Sequence, residues 1–499
     1  MNQNPQQPPP ARKRSLIIAG IALAFVAGAI VALSALRPSE DPPAVSSTPG
    51  SSTPESPSSD PDLATELQEA VTLEGVMRHL EALQDIADDN GGNRFTATGG
   101  HEASVDYVTE VLTDAGYEVT FDEFEVTVYE ENEPARLEII EPSSAALEPS
   151  ADFTPFAFSP SGDVTAPVAP VGFNEADGPG GCEDEAFAGF PDGGVALVQA
   201  GPCTLTEQVF SAEDAGASAV LVMYPPDFID TSSGVLRPML AGAGDVPALA
   251  VSSRLGLRLA EDAAEVRIEV DGRVAERTTR NIIAERPGGP EEVVMVGGHL
   301  DSVPDGPGIN DNGSGSAAIL ELAVQMADVE TSETVRFAFW TAEELGLIGS
   351  ENYVGGLDEA ERERITAYLN FDMVASPNYM TLVYDDNLGN VENPAAIKEL
   401  FLDYFEERDL GTDLIDLSGR SDHGPFERFG IPVGGIFTGA EMIKDGEAQD
   451  LFGGEAGEPA DSCYHLACDD IDNLNEESLD QLSDAIAFAV ATLATSSDI

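Results

Sequence analysis

Residues 293–303 read VVMVGGHLDSV, and the fold is decided there. Val293, Val294, Met295 and Val296 form a short unbroken apolar run, the pattern of a strand covered on both faces, and two glycines carry it into His299, Leu300 and Asp301. A buried strand that ends on an imidazole delivers a potential metal ligand or proton carrier to the edge of a sheet. Asp311 comes within the loop GPGINDNGSGSAA, whose glycines permit tight turns before Ala317, Ala318, Ile319, Leu322 and Met326 set up a helical apolar stripe.

Two further strands repeat the device. TVRFAFW alternates Val335, Phe337 and Phe339 and runs into Glu343 and Glu344, and AYLNFDMV carries Asp372 near its end. Strands separated by helical patterns, each bringing a His or a carboxylate to its C-terminal end, predict a mostly parallel central sheet flanked by helices, an α/β fold with its site at the carboxyl edge. Tyr464 and His465, between Cys463 and Cys468, supply a fourth element. Imidazoles with carboxylates suit borderline divalent ions such as zinc, and one carboxylate has two oxygens with which to bridge two ions. Of the adjacent glutamates, one can bind metal while the other stays free as a base for water.

Composition excludes other classes. The 499 residues carry 91 Asp+Glu against 23 Lys+Arg, a formal net charge of -68, so a polyanion such as nucleic acid would be repelled. Only Lys13, Lys398 and Lys444 are lysines. Adaptation to concentrated salt and simple codon bias both account for that balance.

Arg12, Lys13 and Arg14 precede an uncharged apolar stretch, Leu16 to Leu36, of membrane-spanning length. An uncleaved anchor is expected over residues 15–36 behind a basic cytoplasmic tail, 1–14; a cleaved signal segment is the rival reading. Both place the bulk of the chain outside the cytoplasm, anchored or secreted. Residues 37–66, rich in Pro and Ser, read as an extended stalk. The even count of cysteines in an exported chain favours two disulfides, and closeness in sequence pairs Cys182 with Cys203 and Cys463 with Cys468; a four-cysteine zinc site is the alternative.

VVMVGGHLDSV, GPGINDNGSGSAAILE, VRFAFWTAEELGLIGSENYV, YLNFDMV, GRSDHGPF, IPVGGIFTGA and CYHLACD, in this order, resemble the exported co-catalytic dizinc aminopeptidases of the Streptomyces aminopeptidase type. DNGGNR and SVDYVTEVLTDAGYEV add matches to that family's opening helices. The resemblance implies two zinc ions per chain: His299 and Asp372 on one, Glu344 and His465 on the other, and Asp311 bridging them. It further implies Glu343 as general base, Asp301 as the group that orients His299, Tyr464 as the phenol facing the oxyanion, and Arg420 and Phe437 in contact with substrate. The fold it implies is that of the zinc aminopeptidases and phosphorylase-hydrolase-like proteins. A calcium site known in some relatives is matched by Asp480 and Asp484, but Ala70 stands where its other carboxylate is expected, beside Glu69.

The expected catalytic domain comprises 67–130 and 276–499, with a smaller α/β insertion over 131–275 that resembles a protease-associated domain. Within it Val195–Val198 and Ala219–Met223 read as strands, residues 208–215 as a helix and VPALAVSS as a further strand. No ligand or nucleophile pattern occurs there, so it is expected to be a lid, a substrate-access element or a plain structural insertion. His79 and His101 are expected to pack or lie at the surface, and His423 to stay outside the metal set. The functional reading is an extracytoplasmic metallo-aminopeptidase, a monomer, acting on peptide N-termini with large hydrophobic side chains. A non-catalytic peptidase-fold ectodomain and a carboxypeptidase on the same scaffold are its rivals.

Overall fold

Val293–His299 is buried at every position, and its neighbours Thr334–Trp340 and Ile365–Phe371 run parallel to it on either side. Val433–Phe437 extends the parallel set beyond Ile365–Phe371. These four strands are the centre of the sheet in this computed structural model, which describes residues 61–495 apart from 143, 173–179, 226–234, 243, 263 and 386–394. Leu382–Asp385 joins antiparallel at one side and Asp413–Asp416 closes that edge. The expectation of a mostly parallel central sheet in an α/β fold therefore holds, with antiparallel pairing where Leu382–Asp385 joins and along Glu265–Glu285.

Helices cover both faces because the strands carry no polar side to expose. Gly315–Gln325 comes after the Asp311 loop, and Ala317, Ile319, Leu320 and Leu322 pack with Val294 and Val296 in the main core. The long last helix, Glu476–Thr495, adds Leu479, Leu482, Ile486 and Val490 to the same core. Gly298 is required by close packing: a Cβ there would stand 2.7 Å from the Phe371 carbonyl oxygen. That contact lets the strands carrying His299 and Asp372 approach each other.

A two-stranded ribbon leads to the insertion. Glu118–Glu141 pairs antiparallel with Glu265–Glu285 along its length; the inner end pairs with Thr334–Trp340 and the outer end with Gly162–Val171. The sheet then continues through Val195–Gln199, Ala219–Met223 and Ala248–Val251, all parallel, each a fully or almost fully buried apolar run. A helix, Leu205–Asp214, connects the first two of these, capped by Thr204 and Glu207 reciprocally. The expected strand-helix-strand unit is present, with the helix starting three residues earlier because its capping box sits at Thr204.

Both disulfides form, Cys182–Cys203 and Cys463–Cys468, and with all four cysteines paired a four-cysteine zinc site is excluded. The apolar segment Leu16–Leu36 and residues 37–60 of the expected stalk lie outside the described residues. Residues 61–66, read as the end of that stalk, instead belong to the helix Pro61–Ala70, because Ala64 and Leu67 share one face and bury it in the main core. Among the described residues no helix is long and apolar enough to cross a membrane.

Candidate metal centre

His299 is the last residue of its strand, Glu343 lies three residues beyond Trp340, and Asp372 comes directly after Phe371. The parallel register sets these strand ends side by side, which brings together groups that are far apart in sequence. His299 Nε2 is 3.2 Å from Asp311 Oδ1 and 3.4 Å from Asp372 Oδ1. His465 Nε2 is 3.1 Å from Asp311 Oδ2 and 3.2 Å from Glu344 Oε2. Asp311 thus gives one oxygen to each of two imidazole-carboxylate pairs.

The backbone is bent to achieve this. Ala342, Met373 and His465 all take left-handed φ values, 60°, 53° and 59°, although none is glycine. Such residues cost about 1–3 kcal/mol each and persist where the surroundings over-determine them. Each lies at or next to a member of the cluster, so the strain serves to aim ligands. Backbone amides of Asn310 and Asp311 donate to the buried Asp469 carboxylate, which fixes the loop that presents Asp311.

The electrostatics are those of a site short of positive charge. Burial first, and then neighbouring carboxylates, push Glu343 well above the usual carboxylate range; Glu344 is raised by burial and by Asp311. Burial also raises Asp301, and lifts Asp422 to about 7 with Asp372 and Asp301 adding repulsion. For His299 and His465, burial alone favours the neutral ring, but the carboxylates outweigh it and hold both imidazoles well above their ordinary value. Asp311, between the two rings, is instead held low despite its burial. Glu344 Oε1 and Asp372 Oδ1 are buried without a hydrogen-bond partner. Two three-donor groups among the described residues are close enough to hold an ion, His299 with Glu343 and Asp372, and His299 with Asp311 and Glu344. Neither includes Asp480 or Asp484, of which Asp484 is raised to about 6 by burial and by Asp480.

The expected orienting contact of Asp301 takes a different form. His299 Nδ1 is 3.0 Å from the backbone oxygen of Asp301, whereas the Asp301 carboxylate lies 3.8 Å away. That carboxylate instead accepts from Thr96 Oγ1 and the Glu343 amide, so it ties the base's backbone to the His299 strand. Tyr464 stacks on His465 at 3.8 Å between ring centroids, and burial with nearby carboxylates keeps its phenol protonated. Arg420 donates to Glu441 at 2.8 Å. Phe437 packs at the rim with Met380, Leu382 and Ala460.

Two supports escaped the sequence reading. Arg94, fully buried, donates to the carbonyls of Leu300, Pro307 and Gly308, fastening both ends of the loop between His299 and Asp311. Burial lowers its guanidinium to about 10 against the pull of Asp301 and Asp469. Thr96 donates to Asp301 and accepts from the Ala342 amide. The signal was an arginine closing a glycine-rich loop in a chain poor in basic residues; its carbonyl partners belong to folded backbone and have no sequence signature.

His101, also buried, bonds Thr341 Oγ1, and burial with Arg94 and Arg280 depresses it to about 3. Between about pH 6.5 and 3 the unfolded chain therefore binds a proton that the folded one refuses, and this contribution to stability is lost as pH falls. Equilibrium unfolding of wild type and His101→Gln across that window is expected to show their stability gap shrinking by several kcal/mol towards acid, at about 1.4 kcal/mol per unit. A gap independent of pH would contradict it.

Residues 281–490 match peptidase family M28 and residues 164–259 match the PA domain. The aminopeptidase of Pseudomonas aeruginosa is 40% identical over 446 residues, covering 87% of this chain and 83% of its own. The chain belongs to peptidase family M28. A relative of this M28 peptidase in Mycobacterium tuberculosis, a probable lipoprotein aminopeptidase, is 37% identical with 87% of both chains covered. Among solved structures, the aminopeptidase from Aneurinibacillus sp. strain AM-1 shares 25% identity at a TM-score of 0.65, over 87% of this chain and 96% of its own. A zinc aminopeptidase from Bacillus subtilis has the same fold, with a TM-score of 0.68 at 24% identity over 85% of this chain and 96% of its own. The chain is thus an enzyme, a peptidase with an inserted PA domain.

Proposed function

We propose that this M28 peptidase is an extracytoplasmic aminopeptidase that binds two zinc ions, His299 and Asp372 holding one, Glu344 and His465 the other, with Asp311 shared. The observation that carries the reading is the split of Asp311 between two imidazole-carboxylate pairs, 3.2 Å and 3.1 Å from the two Nε2 atoms. The donor set fits: imidazole nitrogens and carboxylate oxygens suit zinc, two buried carboxylate oxygens accept no hydrogen bond, and the raised carboxyl groups call for cations. Zinc, when bound, supplies Lewis acidity to water and to the substrate carbonyl.

The chain's own residues do the rest. Glu343, buried beside this cluster and pushed up by burial and like charges, takes the proton of the attacking water on its carboxylate and passes it to the departing amine. Asp301 holds the Glu343 amide in place. The Tyr464 phenol, kept protonated, donates a hydrogen bond to the oxygen that gains charge. The surplus of carboxylates favours the α-ammonium of a free N-terminus, and Arg420 and Phe437 meet the N-terminal residue, for which large hydrophobic side chains are preferred. The relatives named as aminopeptidases support this choice over a carboxypeptidase. Two disulfides, the apolar N-terminal segment and the lipoprotein relative support a location outside the cytoplasm.

Leucine p-nitroanilide and its N-acetylated counterpart test the reading together. The free amine is expected to be hydrolysed at least about 100-fold faster, the scale of losing a buried charge partner. Equal rates, or cleavage from the C-terminus of a blocked peptide, would overturn it.

A further inference from the structure

A cavity of about 400 Å³ opens between the catalytic lobe and the insertion, and Glu344 and His465 line its inner end. Asp372, Arg420 and Phe437 do not line it. It therefore meets the cluster at Glu344 and His465 and is separate from the groups assigned to the N-terminal residue. A peptide held with that residue at Arg420 and Phe437 has its scissile bond at the cluster, and the residue beyond the bond enters this cavity.

The walls decide which side chains fit. Apolar lining comes from Phe95 and Leu345 of the catalytic lobe and Val128 of the ribbon. The insertion contributes Phe158 and Met239. Phe158 takes φ 66°, uncommon for a bulky residue, and its ring lies 6.2 Å from that of Tyr129. Met239 is 42% exposed, a large apolar side chain left facing open space.

Besides the carboxylates of Glu130, Glu131, Asp305 and Glu344, the described lining residues include Arg237, from the insertion. Its guanidinium grips both oxygens of Asp305 at 2.6 and 2.9 Å and Glu131 at 2.7 Å, so these two carboxylates of the wall are answered. Asp305 lies on the loop between His299 and Asp311, Glu131 on the ribbon, and Arg237 on the insertion; one side chain joins all three.

We propose that this cavity is the subsite for the second residue of the peptide, that it selects an apolar side chain there, and that Arg237 and Met239 of the inserted domain determine that selection. The inference rests on the aminopeptidase reading and extends it to the leaving side of the bond. A volume of about 400 Å³ is near the lower end of ligand pockets, about 300–1,000 Å³, which suits a side chain with its backbone and not a folded segment. Arg237 neutralises Glu131 and Asp305, and Arg273 and Arg277 pair with Glu130, so among the described lining residues the carboxylates outside the cluster are answered against a cationic side chain.

The test uses the full chain with leucine amide, Leu-Gly, Leu-Phe and Leu-Lys, reading kcat/KM for each. Wild type is expected to favour Leu-Phe over Leu-Lys. Met239→Trp, which fills the cavity, lowers the Leu-Phe to leucine amide ratio by about tenfold or more, the scale on which apolar pockets discriminate, and Met239→Leu restores it. Arg237→Met exposes Asp305 and Glu131 and raises the Leu-Lys to Leu-Phe ratio by about tenfold. Each variant is compared at wild-type thermal unfolding and metal content, so that unmoved ratios report on the cavity and not on loss of folding. Leucine released by wild type, with both ratios within about twofold of wild type in both variants, overturns the subsite alone. No leucine released from any of the four by wild type overturns the aminopeptidase reading and the subsite with it.

Discussion

Glu343→Gln is expected to lower kcat by about 10²–10⁴-fold while leaving bound zinc unchanged, the range that a positioned general base contributes. The amide keeps the shape of the side chain and cannot accept the proton. Asp301 contacts the Glu343 backbone amide, not its side chain, so the loop survives the substitution. Burial and the neighbouring Glu344, Asp422 and Asp372 raise Glu343, so its carboxylate holds a proton more tightly than an exposed glutamate does. Steady-state turnover of an aminoacyl anilide with elemental analysis of the same sample reads both quantities. Full activity in Glu343→Gln would assign the base elsewhere; loss of metal would make Glu343 a ligand, as its place in one three-donor group allows.

Asp311→Ala is expected to fail in the opposite manner, by losing metal. It removes the single side chain that meets both imidazoles, leaving His299 and His465 without the partner they share. Outer partners of metal ligands cost about 10–100-fold in affinity, so loss of a shared ligand is expected to exceed about 100-fold. Competition with a chelator of known affinity measures it, alongside thermal unfolding to establish that the variant is folded. Wild-type affinity in a folded Asp311→Ala would remove the bridge from the account.

Much of this was legible in the sequence because each decisive group sits at a place that local pattern marks. A buried apolar strand has a readable end, and His299, Asp372 and the two glutamates fall at or just past such ends. The helix after the Asp311 loop and the strand Ala219–Met223 are marked by periodicity in the same way. The groups that escaped are held by backbone that only folding creates. Arg94 serves three carbonyls, and the carbonyl oxygen of Asp301, not its carboxylate, meets the His299 ring. The cavity under the insertion joins Glu131, Arg237 and Asp305, residues related by no spacing at all. The reach of the long ribbon that brings the insertion over the site depends on strand register, which composition does not reveal.

The most direct test of the paired centre is stepwise return of zinc to chelated wild-type protein, with bound metal and leucine release measured together. The account predicts that activity is abolished by chelation and restored as zinc rises to two equivalents per chain. Full activity after complete removal of metal, or saturation of binding and activity at a single equivalent, would contradict it.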